Sequence, residues 1–231
     1  MSTGQGENAY PQKEAVSSFS RFLTRIGGAF LAPDATFKQI IADRISFWEP
    51  FLLVLLIIGV QMAVIASFSY RIVAALADSF GSLGGGIGLG FFNAVMIVVF
   101  FVAIVCALLV WFIAAGIAHI SARYIFRGRG SFVQLFKLYG YSIIPCSLQL
   151  LGTVLLGLSW VLFPVFVFLD VVTVFWVMLL ATVAVKQNYN IDTGKAFISS
   201  FICPMLICLI IAGLSWIWMW LIMNSFSGGF V

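Results

Sequence analysis

The chain has 231 residues, of which 63% are hydrophobic and only 9% are charged, and its formal net charge is +4. Charged residues make up roughly 25% of an ordinary soluble domain, because the surface of such a domain must be hydrated. The composition therefore excludes that class of protein. Since a helix needs about 20 apolar residues to cross the hydrocarbon core of a bilayer, the composition predicts an all-α, multi-pass membrane protein.

The region before the first long apolar run divides into two parts. Residues 1–14 are polar and predict a disordered cytoplasmic tail, which we expect to be retained because the apolar run starts too late for a cleaved signal peptide. Residues 15–48 predict two amphipathic interfacial helices, the second with Asp34 as its N-cap and with Phe37, Ile40 and Ile41 buried. Such helices bind anionic lipid at the cytoplasmic face. The alternative, that their apolar faces pack on the bundle, is compatible with this role.

Residues 49–231 predict a five-span membrane domain. The expected spans are 51–70, 96–118, 138–158, 162–184 and 197–222. The apolar run around the second span is longer than one crossing needs, so this helix should tilt or project from the bilayer. Only a short turn within 157–164 separates the third and fourth spans, which predicts a tight antiparallel hairpin. The glycine-rich stretch 81–90 lacks the spacing of a nucleotide-binding loop, and we interpret it as a flexible connection.

The basic residues orient these spans. Eleven of the 12 Lys and Arg residues lie before the first span, between the second and third, or between the fourth and fifth, and only Arg71 remains for the other side. Positive residues are enriched in cytoplasmic loops, so this distribution predicts a cytoplasmic N-terminus. It also requires an odd number of spans, which supports five.

The residues show no pattern for catalysis or metal binding. The single histidine, His119, is expected near the inner end of the second span, whereas Ser159 and Ser215 of the two Gly-Leu-Ser-Trp sequences are expected toward the outer side. A Ser–His dyad needs hydrogen-bond contact, which this separation prevents. The four cysteines fall in apolar runs without a CxxC spacing, which is typical of lipid-buried thiols. We therefore expect no enzyme activity, cofactor or metal, and no nucleic-acid partner.

Asp170 lies inside the fourth span, where a carboxylate costs about 2.5–3.5 kcal/mol on insertion scales. It should therefore face the bundle interior and find a polar partner. Gln149 and Gln61 fall at similar depths in the third and first spans, which predicts an intramembrane polar seam that links Gln149 to Asp170. We interpret this seam as structural. The alternative is the site of a small transporter or channel subunit, although a proton or ion relay would require further ionisable groups along its path.

Two short motifs resemble those of a known family. The first reads YGYSIIP and opens the third span, and the second reads LAPDATFKQII and lies in the second amphipathic helix. Their motif residues are Pro33, Thr36, Phe37, Tyr139, Gly140, Tyr141, Ser142 and Pro145. Both are similar to signatures of the Yip family, the Ypt-interacting proteins, and the second is similar to a segment of its prokaryotic members. We expect Gly140 and Pro145 to loosen the helix at the interface, and Tyr139 and Tyr141 to anchor at headgroup depth.

The resemblance implies a non-enzymatic role in membrane organisation or trafficking, with small-GTPase binding in the eukaryotic members. The Asp-Leu-Tyr-Gly-Pro motif of those members is missing from the N-terminal region, which argues against GTPase binding here. The resemblance therefore points to a prokaryotic-like protein of the plasma membrane, with an endomembrane location as the alternative for a eukaryotic chain. It leaves open whether the chain is a scaffold that shapes the bilayer or recruits a protein partner, or a transporter subunit.

Overall fold

The computed structural model describes residues 18–43, 45–79, 85–210 and 213–216, and every regular element in these ranges is helical. The helices are α1 (Ser18–Leu31), α2 (Pro33–Ala42), α3 (Trp48–Ser79), α4 (Gly85–Ile120), α5 (Phe132–Ser142), α6 (Cys146–Leu158), α7 (Phe163–Tyr189) and α8 (Thr193–Phe197). π-Helical turns follow α4 at Ser121–Ile125 and α8 at Ile198–Ile202, and a 3₁₀ turn at Trp160–Leu162 precedes α7. The predicted tail 1–14 and residues 211–212 and 217–222 of the fifth predicted span lie outside the described ranges.

Within the described residues, five segments are long and apolar enough to cross a membrane, as the hydropathy predicted. Spans 1 to 5 are Trp48–Arg71, Ala94–Ile125, Phe132–Leu158, Phe163–Tyr189 and Thr193–Trp216. Span 3 consists of α5 and α6, which a short turn separates. Only Ser159 and the 3₁₀ turn lie between α6 and α7, and these two helices pack along each other. The predicted hairpin of spans 3 and 4 is therefore confirmed.

The second span is longer than a single crossing requires, also as predicted. Helix α4 contains 36 residues, compared with the roughly 20 that a crossing needs. It begins at Gly85, so the interpretation of 81–90 as a flexible connection is wrong for residues 85–90, and residues 81–84 lie outside the described ranges. Glycine costs about 1 kcal/mol in a helix interior relative to alanine. The apolar run that follows outweighs this cost, because in lipid the backbone groups must hydrogen-bond to each other.

The packed core lies at one end of the bundle, where α1 and α2 cover the ends of spans 1, 3 and 4. Its fully buried large side chains include Phe37, Ile40, Val54, Leu135, Leu138, Tyr141, Leu180, Val185 and Tyr189. The connections that follow spans 2 and 4 lie at the same end, and with them most of the Lys and Arg residues of the described ranges. We call this end the basic end. The positive-inside rule predicts that it faces the cytoplasm.

Helix α1 has a packed face and an exposed apolar face. Its Ala29 is fully buried, and the ring of Phe30 stacks on Trp176 of span 4 with 4.9 Å between the ring centroids. The exposed face consists of Phe19, Leu23 and Leu31, which are 68%, 50% and 85% exposed. Because these residues are spaced by four and eight positions, they lie on the same side of the helix and present apolar side chains outward.

Candidate functional site

Gly140, in the YGYSIIP motif, lets α5 pack directly on the start of span 1. A β-carbon at this position would lie 2.6 Å from Pro50 Cβ and 3.1 Å from the Pro50 carbonyl oxygen. Pro50 is fully buried, and its backbone cannot give way without moving α3. Helix α5 continues through Gly140 to Ser142, so the expectation that Gly140 loosens the helix is wrong. The absence of a side chain at Gly140 allows α5 and α3 to approach closely.

The two tyrosines of the motif are buried in protein. Tyr139 and Tyr141 are 7% and 0% exposed, so the expectation that both rings anchor at headgroup depth is wrong. The physical reason is that α1, α2 and span 1 cover this part of α5. The hydroxyl of Tyr141 donates a hydrogen bond to Glu49 Oε1 in the first turn of α3. The hydroxyl of Tyr139 has no hydrogen-bond partner within the part of the chain that the structure describes.

Glu49 also binds Arg25 of α1. The Arg25 Nη1 atom lies 2.8 Å and 3.0 Å from the two carboxylate oxygens of Glu49, and Nη2 lies 3.2 Å from Asp43 Oδ2 just after α2. We call Arg25, Asp43, Glu49 and Tyr141 the polar junction. It connects α1, the end of α2, the start of span 1 and α5 through charge-assisted hydrogen bonds, which are stronger than those between neutral groups.

The polar junction keeps a guanidinium charged in a mostly buried place. The Arg25 side chain is only 10% exposed, compared with 24% for Glu49 and 36% for Asp43. Burial alone lowers the pKa of Arg25, but hydrogen bonding and attraction to Glu49, followed by hydrogen bonding to Asp43, outweigh burial and raise this pKa above its ordinary value. Arg25 therefore stays protonated in this buried position because the carboxylates of Glu49 and Asp43 stabilise its positive charge.

The LAPDATFKQII motif places the start of α2 two residues earlier than predicted. Helix α2 begins at Pro33 with Ala32 as its N-cap, so the prediction that Asp34 caps the helix is wrong. The fixed backbone angle of proline suits the first helical position, which moves Asp34 into the first turn. There Asp34 accepts a hydrogen bond from Gln187 Nε2 and lies 3.8 Å from Lys186 Nζ, both at the end of span 4.

Thr36 and Phe37 of the same motif lie on the buried face of α2. Phe37 is fully buried, as predicted. The Thr36 hydroxyl donates to the Ala32 carbonyl at 3.0 Å and occupies the space that a β-carbon on Gly28 of α1 would need. The motif therefore fixes the contact between α1 and α2.

Pro145 interrupts span 3, in agreement with the predicted loosening at this position. Helix α5 ends at Ser142 and α6 begins at Cys146, because proline lacks the N–H that would continue the ladder. The Pro145 carbonyl accepts a hydrogen bond from Thr173 Oγ1 of span 4 at 3.4 Å. The Ser142 hydroxyl donates to the Leu138 carbonyl within α5 at 3.1 Å.

The residues of the predicted polar seam lie close together deeper in the bundle. Gln149 Nε2 donates to Asp170 Oδ1 at 2.7 Å across the hairpin. Gln61 does not contact this pair directly, since its Nε2 donates to Thr153 Oγ1 at 3.0 Å. Thr153 in turn donates to the Gln149 carbonyl at 2.9 Å. The structure therefore joins spans 1, 3 and 4 through one chain of hydrogen bonds, in which Thr153 is the link to Gln61.

Comparison with known proteins points to the same segments. The Yip1 domain matches residues 27–228, which include both motifs and all five spans. The chain belongs to the Yip1 family. This confirms the resemblance of the two motifs. An uncharacterized protein of the archaeon Methanocaldococcus jannaschii is 29% identical over 120 residues, which are 51% of this chain and 77% of that protein. No solved structure matches the chain.

The motif residues of this Yip1 domain do not converge on a single pocket. Those of α2 hold α1 and α2 together, Gly140 and Tyr141 attach α5 to span 1, and Pro145 divides span 3. Throughout the described ranges, no group of three or more His, Cys, Asp or Glu side chains is placed to hold a metal ion. The arrangement is suited to fixing helices relative to one another at the basic end.

Sequence reasoning missed the polar junction apart from Tyr141. Arg25, Asp43 and Glu49 lie in or beside three different helices at no characteristic spacing. Glu49 was the residue from which the polar junction could have been predicted, because it lies in the first turn of an apolar run. A carboxylate there interacts favourably with the helix dipole, but at the edge of the bilayer it also needs a polar partner. The contact of His119 Nδ1 with the Tyr189 hydroxyl, between spans 2 and 4, was also missed.

Proposed function

We propose that this Yip1-domain protein is a non-catalytic scaffold that shapes the membrane in which it lies. The observation that carries the proposal is the exposed apolar face of α1. Arg25 is fixed to the bundle by the polar junction, whereas Phe19 and Leu23, six and two residues earlier, are exposed apolar side chains on another face of the helix. A helix of this kind lies in the interface of an anionic bilayer, with its apolar side chains below the headgroups. The family is not known for an enzymatic activity.

The rigid attachment of α1 gives the inserted side chains a mechanical role. A helix that was free to rotate would adapt to the bilayer, whereas a helix tied to spans 1 and 3 forces the surrounding lipid to adapt to it. We place α1 and its inserted side chains on the cytoplasmic side of the plasma membrane, since the positive-inside rule orients the basic end inward. An endomembrane is the alternative location if the chain is eukaryotic. A protein partner would use the same exposed face of α1, because exposed apolar side chains mark interaction surfaces.

Phe19→Ser with Leu23→Ser should abolish most of the membrane shaping. Full-length protein in vesicles of phosphatidylcholine and phosphatidylglycerol is expected to shift the vesicle diameter, measured by electron cryomicroscopy, relative to protein-free vesicles. Each large apolar side chain contributes about 1.5–3 kcal/mol when fully removed from water, so the double variant should lose most of the shift.

The matched control for this experiment is Val133→Ser, which removes an exposed apolar side chain from α5 at the same end of the bundle. This variant should retain the shift. A double variant that shapes vesicles as well as the wild type, or a control that loses the shift equally, would contradict the role of α1.

A second candidate function, a small transporter or channel subunit, is favoured by the Asp170–Gln149 hydrogen bond inside the membrane. Ionisable residues within spans are costly and often mark ion or proton paths. Asp170 is, however, the one ionisable member of the polar seam formed with Gln61, Gln149 and Thr153. A seam with one ionisable group fits a structural node better than a relay.

Asp170→Asn should leave thermal stability near that of the wild type, because the amide keeps a hydrogen-bonding group of the same shape. Asp170→Leu leaves Gln149 unpaired and should cost about 0.6–2 kcal/mol, the range for hydrogen bonds between membrane helices. Thermal unfolding of the purified protein and proton flux in dye-loaded proteoliposomes test both points. Proton flux in the wild type that disappears in Asp170→Asn would establish the transporter reading instead.

A further inference from the structure

We propose that the basic end contains a binding site for a phosphate group, carried by a lipid headgroup or by a soluble phosphate ester. The site is a cavity of about 370 Å³ between the connection after span 2 and the start of span 5. Its lining includes Arg127, Arg129, Tyr189, Asp192 and Lys195. We call this cavity the basic pocket. Its size falls within the roughly 300–1,000 Å³ of small-molecule sites.

The charges around the basic pocket favour an anion. Arg127, Arg129 and Lys195 supply three positive charges against the single negative charge of Asp192, which leaves a formal charge of +2. The carboxylate of Asp192 is already engaged, since it caps α8 by accepting the Gly194 N–H at 2.9 Å. None of the three cations of the pocket forms an ion pair with a carboxylate among the described residues, so an excess of positive charge remains for a ligand.

The backbone that carries these cations is held in place before any ligand binds. Gly128 N–H donates to the Ala122 carbonyl at 2.9 Å, and Arg129 N–H donates to the Tyr189 carbonyl at 3.3 Å. These bonds tie the connection to the ends of spans 2 and 4. A site whose backbone is already ordered loses less conformational entropy on binding, which favours affinity.

Arg127 adopts a backbone conformation that a non-glycine residue rarely adopts. Its φ of 56° lies in the left-handed region, where glycine or asparagine is less strained. The close packing of the neighbouring Gly128 against Tyr189 shows how tightly this turn is built. An arginine at such a position supplies a planar guanidinium at the rim of the pocket, and guanidinium groups bind phosphate oxygens in pairs.

The position of the basic pocket explains why the anion is a phosphate. The end of span 2, the end of span 4 and the start of span 5 surround it, so it lies where three apolar segments end. Lipid phosphates lie just outside the apolar layer of a bilayer, and basic pockets between membrane helices bind phosphorylated headgroups. The inference is independent of the scaffold role, since neither the polar junction nor the exposed face of α1 contributes to the pocket.

The test uses full-length protein in detergent, with phosphatidylglycerol and phosphatidylcholine as probes and native mass spectrometry as the readout. The wild type should retain phosphatidylglycerol in preference to phosphatidylcholine. Arg127→Asn, Arg129→Gln and Lys195→Gln together should weaken this retention by about fivefold per charge, or roughly 100-fold in total. Lys38→Gln removes an exposed positive charge of α2 outside the pocket and should leave retention unchanged.

Inorganic phosphate distinguishes the two sources of the ligand. Millimolar phosphate is added to both proteins. If it displaces phosphatidylglycerol from the wild type but does not displace the residual lipid from the triple variant, the pocket also accepts soluble phosphate esters. Retention that phosphate cannot displace would assign the pocket to a lipid headgroup. Equal retention of both lipids, or equal loss in Lys38→Gln and the triple variant, overturns the proposal. Lys195→Gln alone should still lose about fivefold if the triple variant fails to fold.

Discussion

Glu49→Leu should lower the free energy of unfolding by about 3 kcal/mol, because it leaves a buried cation without its main partner. The substitution removes the carboxylate that Arg25 and Tyr141 share, while the Arg25 side chain is only 10% exposed. Asp43 remains as a partner at 3.2 Å, which keeps the expected loss at the lower end of the range for broken buried ion pairs. Unfolding of the purified protein in mixed micelles, followed by tryptophan fluorescence, measures the change.

Two further variants separate charge pairing from packing at the polar junction. Asp43→Leu removes the more exposed carboxylate and should cost less than about 1 kcal/mol. Arg25→Met combined with Glu49→Leu removes both charges and should be more stable than Glu49→Leu alone, since no unpaired charge remains. The single variants Arg25→Met and Glu49→Leu are measured beside it. If the double variant loses as much free energy of unfolding as the two single variants lose in total, the loss arises from packing.

The spans could be predicted from the sequence because the bilayer imposes its own length scale. An apolar run of sufficient length must be helical in lipid, whatever its neighbours are. The Gln149–Asp170 contact was foreseen for a related reason, since a carboxylate in a span has few polar partners at its depth. The intermediate role of Thr153 was not foreseen, because a threonine in a span usually satisfies its hydroxyl on its own helix.

The basic end could not be predicted in the same way, because tertiary contacts decide its structure. The pattern around Tyr139 and Tyr141 equally describes rings at the membrane surface and rings covered by protein, and only the packing of α1 and α2 decides between them. Arg25 and Glu49 are brought together by the path of the chain between α1 and α3. The local sequence of neither residue contains that information.

Gly140→Val should destabilise the protein by about 2–3 kcal/mol through overpacking. The new β-carbon would lie 2.6 Å from Pro50 Cβ and 3.3 Å from the Pro50 carbonyl carbon, and neither atom can rotate away as the end of a flexible side chain can. Either α5 moves away from span 1, which lengthens the Tyr141–Glu49 hydrogen bond, or the start of α3 shifts. Both adjustments disturb the polar junction.

Gly59→Val is the matched control, because Gly59 is also a helical glycine of a span and a β-carbon there meets no atom within 4 Å. Valine and glycine differ by only a few tenths of a kcal/mol in helix propensity, so this control should be nearly neutral. Thermal unfolding of the two variants in the same detergent gives the comparison. Equal stability of Gly140→Val and Gly59→Val would show that α5 and span 1 can separate freely. The glycine of the YGYSIIP motif would then need an explanation other than close helix packing.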